Sequence, residues 1–165
     1  MNIVHVRTDS QIRTVETLAR QIWRDHYIPI IGEAQVVYML DRFQSREAIA
    51  DQIEAGYEYY LITDDVKEEI GYFAFLIEEK NLFLSKIYVR SGLRGRGYGR
   101  SALGFIERKA RDTMCSKIWL TVNKHNVRSI GAYKKCGFEI REPVVQDIGG
   151  GFVMDDYRME KGVYC

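Results

Sequence analysis

The sequence predicts an α/β fold in which a mixed β-sheet carries helices on both of its faces. Apolar residues recur at helical spacing in the first third of the chain, and three segments rich in aromatic and β-branched residues follow. The last of these segments leads through a glycine-rich loop and a helix into a further strand. Two strands joined through a helix run parallel, which makes this part a crossover unit. We expect one domain over residues 1–165.

The N-terminal segment predicts a short strand followed by a long helix. Ile3, Val4 and Val6 are strand-like, and Asp9 or Ser10 would then cap the helix. The helix is expected to end near Tyr27, before Pro29, because proline removes a backbone donor and collides with the preceding turn. The apolar residues of the predicted helix are Ile12, Val15, Leu18, Ala19, Ile22 and Trp23.

The next segments predict two more helices and an antiparallel meander. A second helix is expected around 36–43, and Ser45 would cap a third helix that ends at Gly56. The meander strands are expected at 57–63, 70–77 and 82–89. Beyond the glycine loop we expect a helix at about 98–111, a strand at 117–122, a helix at 127–136, and hairpin strands at 138–145 and 152–159.

Charge and cysteine content exclude several function classes. With 24 Lys+Arg and 23 Asp+Glu the net charge is +1, so no overall field favours nucleic acid or an anionic membrane. Cys115, Cys136 and Cys165 lack the spacing of zinc ligands or of a disulfide framework. Apolar stretches such as Phe73 to Ile77 are too short to cross a membrane. We therefore expect a soluble, cytoplasmic, metal-free protein that binds neither nucleic acid nor a membrane.

The segment Arg94-Gly95-Arg96-Gly97-Tyr98-Gly99 indicates a cradle for phosphate. Its glycines let the backbone bend and approach a ligand, its N–H groups can converge on an anion, and the following helix adds its positive end. A glycine-rich turn with two solvated arginines is the structural alternative. The stretch Gly97 to Ala102 also fits a dinucleotide fingerprint, but Asn123 stands where that fold needs an acid. No glycine of the cluster precedes Lys, which excludes a Walker loop.

The same segment matches the Q/R-x-x-G-x-G/A motif of the GNAT superfamily of N-acetyltransferases. A second part of the chain, Asn126, Ser129 and Tyr133 followed by Gly137-Phe138, resembles the second signature of that superfamily. The spacing of three and four residues places these side chains on one helix face. The resemblance implies a GNAT-like fold: a central mixed, mostly antiparallel sheet of about seven strands with splayed fourth and fifth strands, flanked by four to five helices.

The resemblance also implies an activity and a set of site residues. Acetyl-CoA would be the co-substrate, its pantetheine arm lying between the splayed strands and pairing with backbone around Ile87 and Val89. An amine would attack the thioester directly in a ternary complex, with Tyr133 as the general acid. The residues implied in cofactor binding are Ile87, Val89, Arg94, Gly95, Arg96, Gly97, Tyr98, Gly99, Arg100, Asn126 and Ser129.

The sequence identifies neither the acceptor amine nor the general base. The resemblance allows a primary amine of a polyamine, of an amino-acid-like molecule or of a protein, and it implies a homodimer through the closing hairpin. A non-catalytic acetyl-CoA sensor of the same fold is the alternative function. The strand at 82–89 has no carboxylate to serve as base. His26 is expected to be a helix-end residue, and Asp155-Asp156 an exposed turn or strand face.

Overall fold

The structure is a computed structural model that describes residues 1–164; Cys165, one of the three cysteines, lies outside the described residues. The described residues form five α-helices and seven β-strands. The helices are α1 (Asp9–Ile31), α2 (Glu33–Phe43), α3 (Arg46–Glu54), α4 (Tyr98–Asp112) and α5 (Val127–Lys135). The strands are β1 (Asn2–His5), β2 (Glu58–Thr63), β3 (Glu69–Glu78), β4 (Asn81–Val89), β5 (Lys117–Asn123), β6 (Glu139–Gly149) and β7 (Phe152–Gly162).

The strands form one mixed sheet in the order β1-β2-β3-β4-β5-β7-β6. The β1/β2, β2/β3, β5/β7 and β6/β7 pairs are antiparallel. The β4/β5 pair is parallel, with Asn81 opposite Lys117 and Phe83 opposite Trp119. Beyond these pairs β4 continues to Val89 and β5 to Asn123. The predicted mixed, mostly antiparallel seven-stranded sheet with a parallel crossover and flanking helices is confirmed.

By packing, the chain divides into two compact units: Met1–Leu76 with Lys86–Gly104, and Ile77–Ser85 with the chain from Phe105 onward. In the first unit, α1 buries one apolar stripe, as its helical spacing predicts. A chain of hydrogen bonds runs through the interior: Trp23 Nε1 donates to the Tyr72 hydroxyl at 3.0 Å, and that hydroxyl donates to Gln44 Oε1 at 2.6 Å. The Gln44 amide in turn donates to the Tyr59 hydroxyl at 3.1 Å. These bonds offset the cost of burying polar groups.

In the second unit, β5 alternates buried and half-buried residues, as a strand with one covered face does. Its buried residues are Ile118, Leu120 and Val122. Lys161 of β7 lies opposite Ile118, and its Nζ donates to Glu107 on α4 at 2.6 Å and to the Cys136 carbonyl after α5 at 2.7 Å. The two helices therefore pack on the Ile118 side. The other side, which we call the Trp119 face, carries Trp119, Thr121 and Asn123 of β5 and Asp156 and Arg158 of β7.

Two predictions about the first helix are wrong. The N-cap is Thr8 rather than Asp9 or Ser10: its hydroxyl accepts from Gln11 N, and the Gln11 side chain accepts from the Thr8 N–H, which together form a capping box. The helix also continues through Pro29 to Ile31. Pro29 removes only one hydrogen bond of the last turn, and the Ile28 carbonyl still accepts from Gly32 N at 3.0 Å.

Candidate active site

The glycine loop leaves β4 through a short 3₁₀ turn, Ser91–Leu93, and enters α4 at Tyr98. Gly95 and Gly97 have φ angles of 77° and 88°, a backbone conformation that favours glycine. A Cβ atom added at Gly95, Gly97 or Gly99 would meet no protein atom within 4 Å. Gly99 has neither a positive φ nor a crowded neighbour, so the fold itself does not explain the glycine there. Space next to this backbone is open to a ligand.

The first turn of α4 presents backbone donors to that space. Ser101 N bonds to the Gly97 carbonyl at 2.9 Å, which closes the first turn. The N–H groups of Tyr98, Gly99 and Arg100 precede this bond and have no acceptor within the helix. They point from the positive end of the α4 dipole, an arrangement that binds phosphate or carboxylate.

The arginines of the loop differ in their surroundings. Arg94 is half-buried; its Nε donates to the Val89 carbonyl at 3.1 Å, and its Nη1 lies 3.3 Å from His26 Nδ1. Arg96 and Arg100 are exposed. Arg94 therefore fixes the start of the loop against β4 and α1, while Arg96 and Arg100 are free to turn toward a bound anion. The sequence did not indicate the contact with His26, because the two residues are far apart along the chain.

The end of β4 is packed closely against β3. Ile87 is half-buried and Val89 is buried. A Cβ atom at Gly71 would lie 2.3 Å from the Tyr88 carbonyl oxygen, so only glycine allows this approach. The Tyr88 hydroxyl lies 3.0 Å from that of Tyr27 on α1. The backbone that carries Ile87 and Val89 is held on the β3 side and through Tyr88.

The second predicted group lies at the start and along one face of α5. Asn126 is buried and caps the helix, its Oδ1 accepting from Ser129 N at 3.4 Å. Tyr133 is half-buried, with its ring edge-to-face with Phe138 at a centroid distance of 5.6 Å. Capping accounts for part of what Asn126 does, and packing against Phe138 for part of what Tyr133 does.

Asp156 is not the exposed strand residue that the sequence suggested; it is 4% exposed. Burial and then the neighbouring Asp155 charge raise the pKa of Asp156 to about 6, against a hydrogen bond from Thr121 that lowers it. Its position in β7 puts it opposite Asn123, the last residue of β5. Sequence alone could not find it, since the β5/β7 register decides which face it occupies.

A sequence model of the acetyltransferase (GNAT) family matches residues 17–138, which include the glycine loop and α5. The chain belongs to the acetyltransferase (GNAT) family. It is also 34% identical over 73 residues to uncharacterized N-acetyltransferases of Mycobacterium bovis and Mycobacterium tuberculosis. Those matches cover 43% of this chain and 46% of each relative, so the chain spans less than half the length of these curated relatives.

Solved GNAT structures share the fold. The PaiA N-acetyltransferase of Thermoplasma acidophilum, crystallised with coenzyme A, superposes with a TM-score of 0.80 at 20% identity, over 98% of this chain and 99% of that one. The ribosomal-protein-S18-alanine N-acetyltransferase of Escherichia coli gives 0.74 at 16% identity, over 99% and 94%. A spermidine N-acetyltransferase chimera from Vibrio cholerae and hSSAT gives 0.73 at 17% identity, over 98% and 94%.

Two further findings concern residues 1–164. Within them, His, Cys, Asp and Glu side chains form no group of three or more that could hold a metal ion. None of the helices described above is both long and apolar enough to span a membrane.

Proposed function

We propose that this GNAT protein transfers an acetyl group from acetyl-CoA to a primary amine, as one N-acetyltransferase domain over residues 1–165. The observation that carries the proposal is the glycine loop, where open space lies beside three glycines and a helix start with free N–H groups. Family membership favours coenzyme A over other phosphate ligands. Fold neighbours named for spermidine and for a ribosomal-protein alanine support an amine as acceptor, from a small molecule or a protein.

In this proposal the cofactor is held mainly by backbone. The pyrophosphate accepts from N–H groups between Gly95 and Arg100, and the exposed Arg96 and Arg100 add positive charge. The pantetheine amides pair with the strand around Ile87 and Val89 in the manner of an added strand. Arg94 acts through its bonds to Val89 and His26, which hold the loop in place. Asn126 and Ser129 contribute from the start of α5.

The proposed chemistry is direct attack in a ternary complex. The neutral amine attacks the acetyl carbonyl, whose oxygen accepts a hydrogen bond from a strand N–H, and the sulfur leaves as a thiolate. A thiol of this kind has a pKa of about 8.5 by analogy with cysteine, and a tyrosine phenol one of about 10. Tyr133 would therefore be protonated at neutral pH and would donate its proton as the C–S bond breaks.

Gly99→Ala tests the cofactor site with opposite effects on stability and binding. The methyl group meets no protein atom and replaces glycine within a helix, so we expect stability to rise by up to about 1 kcal/mol. It enters the space assigned to the pyrophosphate, so the Kd for acetyl-CoA should rise tenfold or more by isothermal titration calorimetry. Gly131→Ala on α5, a helical glycine with equally open surroundings, is the matched control and should leave the Kd unchanged. Equal Kd values for all three proteins would refute the assignment of the loop.

Turnover separates the enzyme from a sensor. Release of free thiol from acetyl-CoA with spermidine, an alanyl peptide or another amine of a panel supports the enzyme. Tight binding of acetyl-CoA without turnover across that panel supports the sensor. In the enzyme, Tyr133→Phe should lower kcat by about 10²-fold while leaving the Kd for acetyl-CoA nearly unchanged. An unchanged kcat would remove Tyr133 from the role of general acid.

A further inference from the structure

Asp156 is a buried carboxylate with no Lys or Arg in direct contact among the described residues. It is 4% exposed, and its oxygens accept a hydrogen bond from the Thr121 hydroxyl. The nearby cation, Lys124, forms its ion pair with Asp155 at 2.7 Å and affects Asp156 only through its charge, which lowers the pKa of Asp156. Within residues 1–164 no Lys or Arg forms an ion pair with Asp156. A buried carboxylate without a counterion is costly, and such groups occur at functional sites more often than elsewhere.

The position of Asp156 relates it to the proposed general acid. It lies opposite Asn123 at the carboxyl end of β5, on the Trp119 face, whereas the part of α4 around Glu107 and the end of α5 pack on the other face. Asn126, three residues beyond the end of β5, begins the helix that carries Tyr133. The acid and the carboxylate thus belong to opposite faces of the sheet at one strand end. The leaving sulfur needs a proton donor, and the attacking nitrogen needs a proton acceptor. Placement on opposite faces of the sheet keeps these two groups apart.

The Trp119 face combines stacked aromatic rings with charged side chains of β7. Phe83 and Trp119 stack at 4.2 Å, and the Arg158 guanidinium lies 4.2 Å from the Trp119 ring centre. Glu160 on the same face is already bonded to Lys117 and Arg158, each at 3.1 Å. Of the two β7 acids on this face, Glu160 is ion-paired, whereas Asp156 is buried and forms no ion pair in the described part of the chain.

Resting on the proposed acetyl transfer, we infer that Asp156 is the base that binds the acceptor amine and takes the proton its nitrogen loses. The amine donates an N–H hydrogen bond to the carboxylate and attacks the acetyl carbonyl, forming the C–N bond. The surplus proton on nitrogen passes to Asp156, the C–S bond breaks with its electron pair on sulfur, and Tyr133 protonates the thiolate. Solvent then takes the proton of Asp156 and restores that of Tyr133, so protons balance over the cycle.

Asp156→Asn tests this role because asparagine has nearly the same shape as aspartate. Its amide oxygen can still accept the hydrogen bond from Thr121. We expect kcat with an amine that the wild type acetylates to fall by about 10²-fold or more, while the Kd for acetyl-CoA stays within about twofold. The fall in kcat/KM toward acid pH that reports the base should disappear from the variant. Asp155→Asn, the ion-paired neighbour, is the matched control: it should keep activity and move that acid limb to lower pH, because the Asp155 charge raises the pKa of Asp156.

The charged groups around Asp156 in this unit are Asp155 on its own strand, Lys124 after β5 and Arg158 two residues along the same face. None of them is changed in Asp156→Asn, so loss of the acid limb reports Asp156 itself. A variant with wild-type kcat and pH profile overturns the inference and leaves the acetyltransferase proposal standing. A variant that loses acetyl-CoA binding in proportion to activity overturns it as well, since that marks a structural role. A wild type that acetylates no amine refutes both proposals.

Discussion

Gly71→Ala is expected to disturb β4 where the cofactor is proposed to bind. The added Cβ would lie 2.3 Å from the Tyr88 carbonyl oxygen and 3.1 Å from Val89 Cα. A carbon and an oxygen that are not bonded normally stay about 3.3 Å apart or more, so the two strands must separate by roughly 1 Å. Both atoms belong to backbone inside a sheet, and no side-chain rotation can relieve the contact. We expect a loss of about 2 to 3 kcal/mol in the free energy of unfolding.

The same displacement should reach the proposed chemistry. Val89 is one of the two residues whose backbone is assigned to the pantetheine arm, and a 1 Å misplacement of a reacting group costs up to about 10²-fold in rate. We expect Gly71→Ala to remain folded at 25 °C, to melt at a lower temperature, and to lose kcat/KM for acetyl-CoA by more than the fraction of unfolded protein explains. Circular dichroism melts and steady-state kinetics at 15 °C separate these two effects.

Gly92→Ala is the matched control for Gly71→Ala, since its Cβ would meet no atom within 4 Å and its φ is not positive. It lies just past β4 and should change neither melting temperature nor kcat/KM appreciably. A Gly71→Ala protein with wild-type melting temperature and kinetics would show that β3 and β4 do not approach each other as described. Reduced stability with an unchanged kcat/KM would instead remove the end of β4 from the cofactor site.

Three further predictions concern the cap of α1, the start of the loop and the buried carboxylate. Thr8→Ala removes the capping box with Gln11 and should lower the free energy of unfolding by about 1 kcal/mol in urea titrations, without changing kcat. His26→Ala removes one of the contacts that hold Arg94 and should weaken acetyl-CoA binding by about tenfold, with little effect on S-acetylpantetheine, which lacks the phosphates. His5→Ala, which removes a similar contact with the Arg7 Nε at 3.2 Å, should leave both donors unaffected. Asp156→Asn should raise the melting temperature at pH 7 and leave it nearly unchanged below pH 4.

The sequence predicts best those helices and strands that are determined by residues close together along the chain. The capping serine of α3 and the meander strands were predicted within one or two residues, because caps and β-branched runs act over short distances. Thr8 was missed although the T-x-x-Q pattern with Gln11 is present in the sequence. Pro29 marked the helix end too early, since one lost hydrogen bond in a last turn does not outweigh the packing of the preceding turns. The hairpin strands extend beyond their predicted ends because the end of β6 pairs with the start of β7, and the end of β7 pairs with the start of β5.

In the candidate site, too, the features formed by neighbouring residues are predictable from the sequence, and the contacts between distant segments are not. The glycine loop and the face of α5 are contiguous motifs, and the structure places both in the predicted local conformation, with Asn126 as a cap. The contact of His26 with Arg94 and the glycine at position 71 depend on segments distant in sequence, so no local pattern reveals them. Their roles in cofactor binding stay predictions for the experiments above. In each case the sequence does not show which distant segments contact each other.

Asp156 illustrates how stability and function oppose each other at such a site. Its pKa in the folded protein is about 6 against 3.8 for an ordinary aspartate, so the folded state retains the proton through a range in which the unfolded chain loses it. Stability therefore falls as pH rises from about 4 to 6, and the cost of the buried charge is fully present at pH 7, at most about 3 kcal/mol. Asparagine would avoid this cost while keeping the Thr121 hydrogen bond. Greater stability at pH 7 together with lost turnover in Asp156→Asn would mean that the carboxylate serves the reaction rather than the fold.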